Sequence, residues 1–337
     1  MPQFFYGGIL RAEGAAVWKK GNNMHTDRLK YTANLLGLAV LTFLAVGRLL
    51  QGLLSVLAAF HLPGASAQDP TGLSQGALYA YQIFCTAAAL GAPVFLLYKG
   101  RRYAGAGPRP TFQRSAKGVV LPCTLLFLGA IPLTNALGGL VDRVLQNFAG
   151  YRPPAPGVLP DEGAVMALYF ISACILPAVL EEILFRGCMQ KMLLPYGGWF
   201  AVGLTSFLFA ILHAQPGQIP SIFLLSMVLG YAAEATGSLR LPMLLHFVNN
   251  ATALAVRWLT LNLDDASALA FIAVLFSGYL VAGLFALPAL WGGKLPPLPP
   301  KKDGSRLTRA ERVLSAPVFL LGVVAALLPA VLHWGGA

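Results

Sequence analysis

The sequence predicts an all-α protein that crosses a membrane several times, and three observations support this. The 337 residues are 57% hydrophobic and only 11% charged, whereas soluble chains usually carry about 25% charged residues. The apolar residues form long segments, and a helix needs about 20 of them to cross the hydrocarbon core. The net charge of +11 is concentrated between these segments, which indicates membrane topology rather than nucleic-acid binding.

Nine segments are apolar enough to be transmembrane helices, so we expect a bundle of about nine (eight to nine). They are residues 31–58, 77–98, 118–141, 164–185, 197–214, 218–235, 239–260, 267–291 and 314–334. Arg48 lies in the first of them, where a snorkelling side chain accommodates it, and we assign it no function.

The charges of the connecting segments predict the orientation. Lys and Arg are frequent before the first segment, between residues 99 and 117, and after the eighth segment. The intervening connections at 59–76, 142–163 and 261–266 are poor in Lys and Arg and contain Asp and Glu. The positive-inside rule therefore predicts a multi-pass protein of the cell membrane with a cytoplasmic N-terminus.

We expect five parts along the chain. Residues 1–30 form a cytoplasmic N-terminal segment without a signal-peptide pattern, and 31–160 contain the N-terminal transmembrane helices. Residues 161–291 form a transmembrane core, for which the motifs described below imply a catalytic role, 292–313 a basic, proline-rich cytoplasmic linker and 314–337 a last transmembrane helix. The four cysteines are Cys85, Cys123, Cys174 and Cys188. They include no Cys-x-x-Cys pair, so the sequence predicts neither a disulfide framework nor a cysteine-bound metal.

The second half of the chain contains the charges that need an explanation. Glu181, Glu182 and Arg186 lie in an apolar segment, where each ionised side chain opposes insertion by about 2.5–3.5 kcal/mol. Glu182 and Arg186 are four residues apart and can pair on one helical face, whereas Glu181 points about 100° away. The group is either an ion-pair cluster that locks helices together or a functional site with Glu181 as its free carboxylate.

Two further segments add polar groups at helical spacing. Phe209 lies four residues before His213, and His246 lies four residues before Asn250. An imidazole and an amide on one face suit the stabilisation of an oxyanion; the alternative is a helix-packing hydrogen bond, worth about 0.6 kcal/mol in membranes. Asn249 points elsewhere, and Glu234 is expected to be a structural charge.

The order of these motifs resembles the CPBP family of intramembrane proteases, the group of the CAAX prenyl endopeptidases and bacteriocin-processing proteins. Glu-Glu-x-x-x-Arg at 181–186, Phe-x-x-x-His at 209–213 and His-x-x-x-Asn at 246–250 follow one another on three separate apolar segments. The resemblance covers roughly residues 160–265.

The resemblance implies a membrane-embedded, glutamate-type endopeptidase. Glu181 and His213 would activate a water, and His246 and Asn250 would stabilise the oxyanion. Glu182, Arg186 and Phe209 would support them in a polar cavity within the helix bundle. The implied partners are the lipid bilayer and a membrane-associated peptide or protein, such as a prenylated C-terminus or a bacterial leader peptide, and nucleic acid is not expected.

Three alternatives stay open. No cofactor is predicted, although Glu181, His213 and His246 could form an open zinc site, since the family was long labelled as metalloproteases. The same buried groups could instead relay protons in a transporter, or the chain could be a non-catalytic scaffold or immunity protein.

One difficulty concerns all site models. The segment boundaries place the site residues at different depths unless the fourth helix is long or the fifth is shifted.

Overall fold

The computed structural model describes residues 6–60, 72–104, 111–115, 118–153, 158–293, 295–299 and 306–332. Within these ranges the regular structure is helical and no strand occurs, which confirms the predicted all-α class. The basic linker predicted at 292–313 lies partly outside the described residues.

Eleven helical elements follow one another along the described chain. They are α1 (Tyr6–Ala59), α2 (Gln75–Ala104), α3 (Val120–Ala149), α4 (Gly163–Tyr196), α5 (Gly198–Ile211), α6 (Gln218–Thr236), α7 (Arg240–Asn262), α8 (Asp265–Leu284), α9 (Leu287–Trp291), α10 (Arg306–Leu314) and α11 (Pro317–Leu332).

The nine predicted apolar segments fall mainly on these helices: 267–291 covers both α8 and α9, and residues 333–334 of the last segment lie outside the described residues. Among the described residues, six helical segments are long and apolar enough to cross a membrane, and they belong to α1, α2, α3, α4, α6 and the stretch Asp265–Trp291. The helices α5 and α11 are shorter and apolar. The protein is therefore a polytopic helical membrane protein, and the number nine stays a prediction.

Helix α4 explains how the site residues reach one another. It continues to Tyr196 and is 34 residues long, whereas the sequence predicted its end near residue 185. Glu181 and Glu182 therefore lie near its middle. Helix α5 starts directly afterwards at Gly198 and has only 14 residues, so the short α5 brings His213 back to the level of the two glutamates.

Two apolar clusters lie on either side of the polar residues. One joins α1, α2, α5 and α11 to the second half of α4, and the other joins α3, α6 and α7. Phe209 belongs to the first cluster and Phe127 to the second. The polar residues of the second half of the chain lie between the two.

Helices α1 and α11 pack closely through small residues. A Cβ on Gly322 would lie 2.8 Å from the backbone oxygen of Gly37, so a side chain at this crossing would separate the two helices. The amide oxygen of Asn34 accepts a hydrogen bond of 3.0 Å from the backbone N–H of Val318. Such crossings of small residues are typical of helix association in membranes.

Candidate active site

The part of α4 that carries the acids is irregular. Two π-helical stretches, Ile171–Ile175 and Ile183–Gln190, lie on either side of the α-helical stretch Leu176–Glu182. Pro177 follows the first of them and cannot donate a helical hydrogen bond. Because π-helical turns occur frequently at functional sites, this irregular segment of α4 is the first part of the chain to consider as a candidate site.

Glu182 is the centre of a fully buried ion cluster. Its side chain is 0% exposed, and its Oε1 accepts hydrogen bonds of 2.8 Å from Arg186 Nη1 and 2.8 Å from His246 Nδ1. Arg186 Nη2 donates to the hydroxyl of Ser226 at 2.6 Å and to its backbone oxygen at 3.2 Å. The predicted pair of Glu182 and Arg186 is present, and it joins α4 to both α6 and α7.

Glu181 lies beside this cluster and is less constrained. Its side chain is 21% exposed, and its Oε2 lies 3.7 Å from His246 Nε2. Together with His213 and Phe209, it lines a cavity of about 130 Å³ whose other walls are apolar. The two adjacent glutamates therefore differ as the helical spacing indicated, because one is locked in an ion pair and the other faces a cavity.

Phe209 brings the two histidines together. Its ring lies edge-on to His213, His246 and Phe185, with centroids 4.8, 5.8 and 4.9 Å away, and the Arg186 guanidinium lies 4.8 Å from its centroid. The backbone oxygen of Phe209 accepts a hydrogen bond of 2.9 Å from His213 Nδ1. Because a carbonyl can only accept, His213 carries its proton on Nδ1, and Nε2 is free to accept a hydrogen bond.

A second cavity of about 260 Å³ lies on the other side of Phe209 and His213. His246 and Asn250 line it as predicted. Asn249, which we expected to point elsewhere, lines the same cavity and donates a long hydrogen bond of 3.4 Å to Asn250 Oδ1. Glu181, His213, His246 and Asn250 are thus brought to two neighbouring cavities that share the side chains of Phe209 and His213.

Sequence reasoning missed two residues of α6 that hold this arrangement, Ser226 and Gly230. Ser226 binds Arg186, and the backbone oxygen of Gly230 accepts a hydrogen bond of 2.9 Å from Gln190 Nε2. Glu234 accepts hydrogen bonds from Gln190 at 2.8 Å and from Lys191 at 3.0 Å, so it is a structural charge as expected. The spacing of four between the three α6 positions, matching that of Glu182, Arg186 and Gln190 on α4, is the signal that could have found them.

The zinc alternative concerns the acidic and imidazole side chains around the two cavities. Among the described residues, no group of three or more His, Cys, Asp or Glu side chains could hold a metal ion. His246 Nδ1 is already bound to Glu182. This hydrogen bond leaves His246 Nε2 available, so the zinc alternative with Glu181, His213 and His246 stays a prediction.

Comparison with protein families gives one match. The model of the Rce1-like family, type II CAAX prenyl endopeptidases, matches residues 163–252, from the start of α4 to the middle of α7. The matched region contains all seven residues on which the resemblance was based. Comparisons with curated proteins and with solved structures found no match.

Proposed function

We propose that this chain, a member of the CPBP family of intramembrane proteases through residues 163–252, hydrolyses a peptide bond of a membrane-associated substrate with a water held between Glu181 and His213. One observation carries the proposal. Glu181 and His213 line the same small cavity, and His213 also lines the larger cavity that contains His246 and Asn250. A water occupies about 30 Å³, so the smaller cavity of about 130 Å³ has room for it.

The attacking water needs acceptors for its hydrogens. Glu181 is the general base, and its partial exposure leaves a carboxylate oxygen available. His213 Nε2 accepts the second hydrogen, because Nδ1 donates to the Phe209 backbone oxygen. With both hydrogens engaged, a lone pair of the water oxygen is directed at the substrate carbonyl, and Glu181 takes the proton as the carbon–oxygen bond forms.

The oxyanion that forms needs donors on the other side of the carbonyl. Asn250 offers its amide N–H groups, and no described residue accepts a hydrogen bond from them. His246 donates through Nε2 when both ring nitrogens carry a proton, since Nδ1 is bound to Glu182.

The remaining steps return the site to its starting state. Glu181 passes the proton to the leaving amine nitrogen, the carbon–nitrogen bond breaks, and the hydroxyl from water stays on the new carboxyl group. Glu182 and Arg186 are positioning residues in this scheme, because they contact His246 and the helix backbone rather than the cavity. Phe209 separates the two cavities and keeps the histidines in place.

The proposed location is the cell membrane, with the N-terminus on the cytoplasmic side. The clustering of Lys and Arg before α1, between α2 and α3, and after α8 supports this orientation. The substrate is proposed to be a membrane-associated peptide or protein segment, with a prenylated C-terminus and a bacterial leader peptide as the two forms to test.

The experiment is a cleavage assay with the purified protein in lipid nanodiscs and a library of membrane-associated fluorogenic peptides. Glu181→Gln is expected to lower the rate by about 10²–10⁴-fold, the usual contribution of a general base. The matched control is Glu234→Gln, which makes the same change at the carboxylate that binds Gln190 and Lys191. This variant is expected to retain cleavage. The assay is repeated with a metal chelator, which is expected to leave the rate unchanged.

Two outcomes would contradict the proposal. One is full activity of Glu181→Gln. The other is the absence of cleavage by the wild-type protein together with substrate-independent proton flux in liposomes, as the transporter alternative requires.

A further inference from the structure

We infer that a polar wall of the larger cavity binds the backbone of an extended substrate segment without charged side chains, through amide and hydroxyl side chains of α3, α6 and α7. This inference rests on the proposed hydrolysis and names the class of peptide that the site accepts. The residues of this polar wall are Thr134, Asn135, Gln218, Ser221 and Asn249.

A membrane protease needs such a wall for a physical reason. The carbonyl of a helical substrate is already hydrogen-bonded within its helix, so it must be unwound before a water can attack it. In an apolar environment each unpaired backbone N–H or C=O costs several kcal/mol. Only a surface that offers both donors and acceptors can compensate an unwound segment.

The polar wall offers acceptors because its hydroxyl protons are already engaged. Thr134 Oγ1 donates to the backbone oxygen of Ala130 at 2.9 Å, and Ser221 Oγ donates to that of Gln218 at 2.8 Å. Their oxygens therefore remain as acceptors toward the cavity. Hydroxyls that are fixed in this way suit the N–H groups of a peptide backbone.

The amides of the polar wall supply both hydrogen-bond donors and hydrogen-bond acceptors. Asn135 Nδ2 uses one N–H on the backbone oxygen of Ile131 at 2.8 Å, which leaves its second N–H and its Oδ1. Among the described residues, no partner binds Asn249 Oδ1 or donates to Asn135 Oδ1. An extended chain repeats its polar groups every 3.2–3.4 Å, so several of these amides can be used by one strand.

The charge of the cavity limits what can enter it. Its lining contains His213 and His246 but no Asp, Glu, Lys or Arg among the described residues. A charged substrate side chain placed against the polar wall would lose hydration and find no counter-charge among the residues of that wall. The polar wall therefore fits a segment of small or uncharged residues.

Helix α3 contributes to this wall although it lies outside the region that matches the family. The match covers residues 163–252, whereas Thr134 and Asn135 belong to α3. A Cβ on Gly138 would lie 3.2 Å from Ser221 Oγ, so α3 and α6 are in close contact next to the polar wall. The N-terminal helices thus supply a specificity surface to the catalytic core.

The test uses one substitution at two places on α3. Asn135→Leu removes the amide from the polar wall, and Asn147→Leu makes the same change at an exposed position outside the cavity. For a peptide that the wild type cleaves, Asn135→Leu is expected to raise KM about tenfold, equivalent to about 1.4 kcal/mol. Its kcat should change less than threefold, and Asn147→Leu should change neither constant.

A binding measurement removes the dependence on turnover. The same uncleaved peptide is titrated by fluorescence anisotropy into Glu181→Gln with and without Asn135→Leu, and the second substitution is expected to weaken Kd about tenfold. Asn135→Asp provides a second variant. A peptide with Lys at the substrate position that contacts residue 135 is expected to bind this variant more tightly than it binds the wild type. In the wild type, Lys or Asp at that position is expected to reduce cleavage at least tenfold.

The outcomes separate this inference from the proposed function. If Glu181→Gln still cleaves, the proposed hydrolysis fails. If Glu181→Gln is inactive but Asn135→Leu and Asn147→Leu share the wild-type KM and Kd, only the polar wall is refuted. A lower Tm and kcat for Asn135→Leu at unchanged KM and Kd would assign Asn135 a purely structural role and overturn the inference as well.

Discussion

Two ion clusters connect α4 to α6, and they lie only about one helical turn apart on α4. The first contains Glu182 and Arg186, with side chains 0% and 1% exposed. The second contains Lys191 and Glu234, with side chains 13% and 7% exposed. The first cluster is buried and the second is half-buried. Both join the same helices and place opposite charges within 3.0 Å.

The clusters differ in what is left unpaired. Both oxygens of Glu234 are occupied by Lys191, and one of them also by Gln190. In the first cluster Glu182 Oε2 has no partner among the described residues, and the neighbouring Glu181 faces a cavity. A buried charge within a membrane helix is therefore insufficient evidence of a site. Unused hydrogen-bonding atoms beside a cavity are the more informative sign.

The largest expected effect comes from breaking each cluster at its cation. Arg186→Ala leaves Glu182 buried without its counter-charge, and the loss of stability is expected to be about 3–5 kcal/mol. Lys191→Ala leaves Glu234 with the Gln190 hydrogen bond, and a smaller loss of about 1.5–3 kcal/mol is expected. Denaturant titration in mixed micelles measures both.

Activity should separate the two variants further. At temperatures where both are folded, Arg186→Ala is expected to lose cleavage because His246 is no longer oriented by an intact cluster, and Lys191→Ala is expected to keep it. Equal losses of stability and activity in the two variants would remove the distinction between the clusters.

An intermediate effect is expected at Gly230, where α6 passes the Gln190 side chain. A Cβ on Gly230 would lie 2.8 Å from Gln190 Oε1 and 3.0 Å from Val202 Cγ1. Gly230→Ala is therefore expected to destabilise the protein by about 1–3 kcal/mol through overpacking. The control is Gly203→Ala, because a Cβ there has no neighbour within 4 Å and should stabilise α5 by about 0.5–1 kcal/mol. A stabilising Gly230→Ala would show that the two helices are not held at this distance.

The smallest effect is expected from an acid outside both clusters. Asp264 caps α8, and hydrogen bonds from Ser267, including one of 3.0 Å from its backbone N–H, hold the Asp264 pKa below its ordinary value. A lowered folded-state pKa means that the carboxylate stabilises the protein above the unfolded pKa, and that this contribution is lost as pH falls through the folded pKa. Asp264→Ala should therefore lower Tm slightly at pH 7, and the difference from wild type should shrink below about pH 4. A difference that is constant between pH 3 and pH 7 would contradict this.

Much of the fold could be predicted from the sequence because membrane helices follow a simple length and polarity rule. The described part of each apolar segment is mainly helical, and the helical spacing separated Glu181 from the Glu182–Arg186 pair. The predicted end of α4 near residue 185 was wrong. The residues that follow include Arg186, Gln190 and Lys191, so this part of the helix is not apolar enough to be recognised from sequence as part of a transmembrane span. These polar residues remain helical because Ser226, Gly230 and Glu234 of α6 bind them, and a single-helix pattern cannot show such partners.

The candidate site shows the same limit. Residues that share a helix, such as His246 and Asn250, could be grouped by their spacing. The hydrogen bond of His246 to Glu182 links positions far apart in the chain, and the contribution of Asn135 to the cavity comes from a helix without any motif. Both depend on how helices pack, which the spacing of residues within one helix does not determine.

The contact between α1 and α11 has a consequence for the synthesis of the chain. Gly37 and Asn34 meet Gly322 and Val318 only after the intervening helices have been made. At about 5–20 residues per second, this interval lasts roughly 15–60 s. During that time the amide oxygen of Asn34 lacks the backbone N–H of Val318 that it binds in the finished fold.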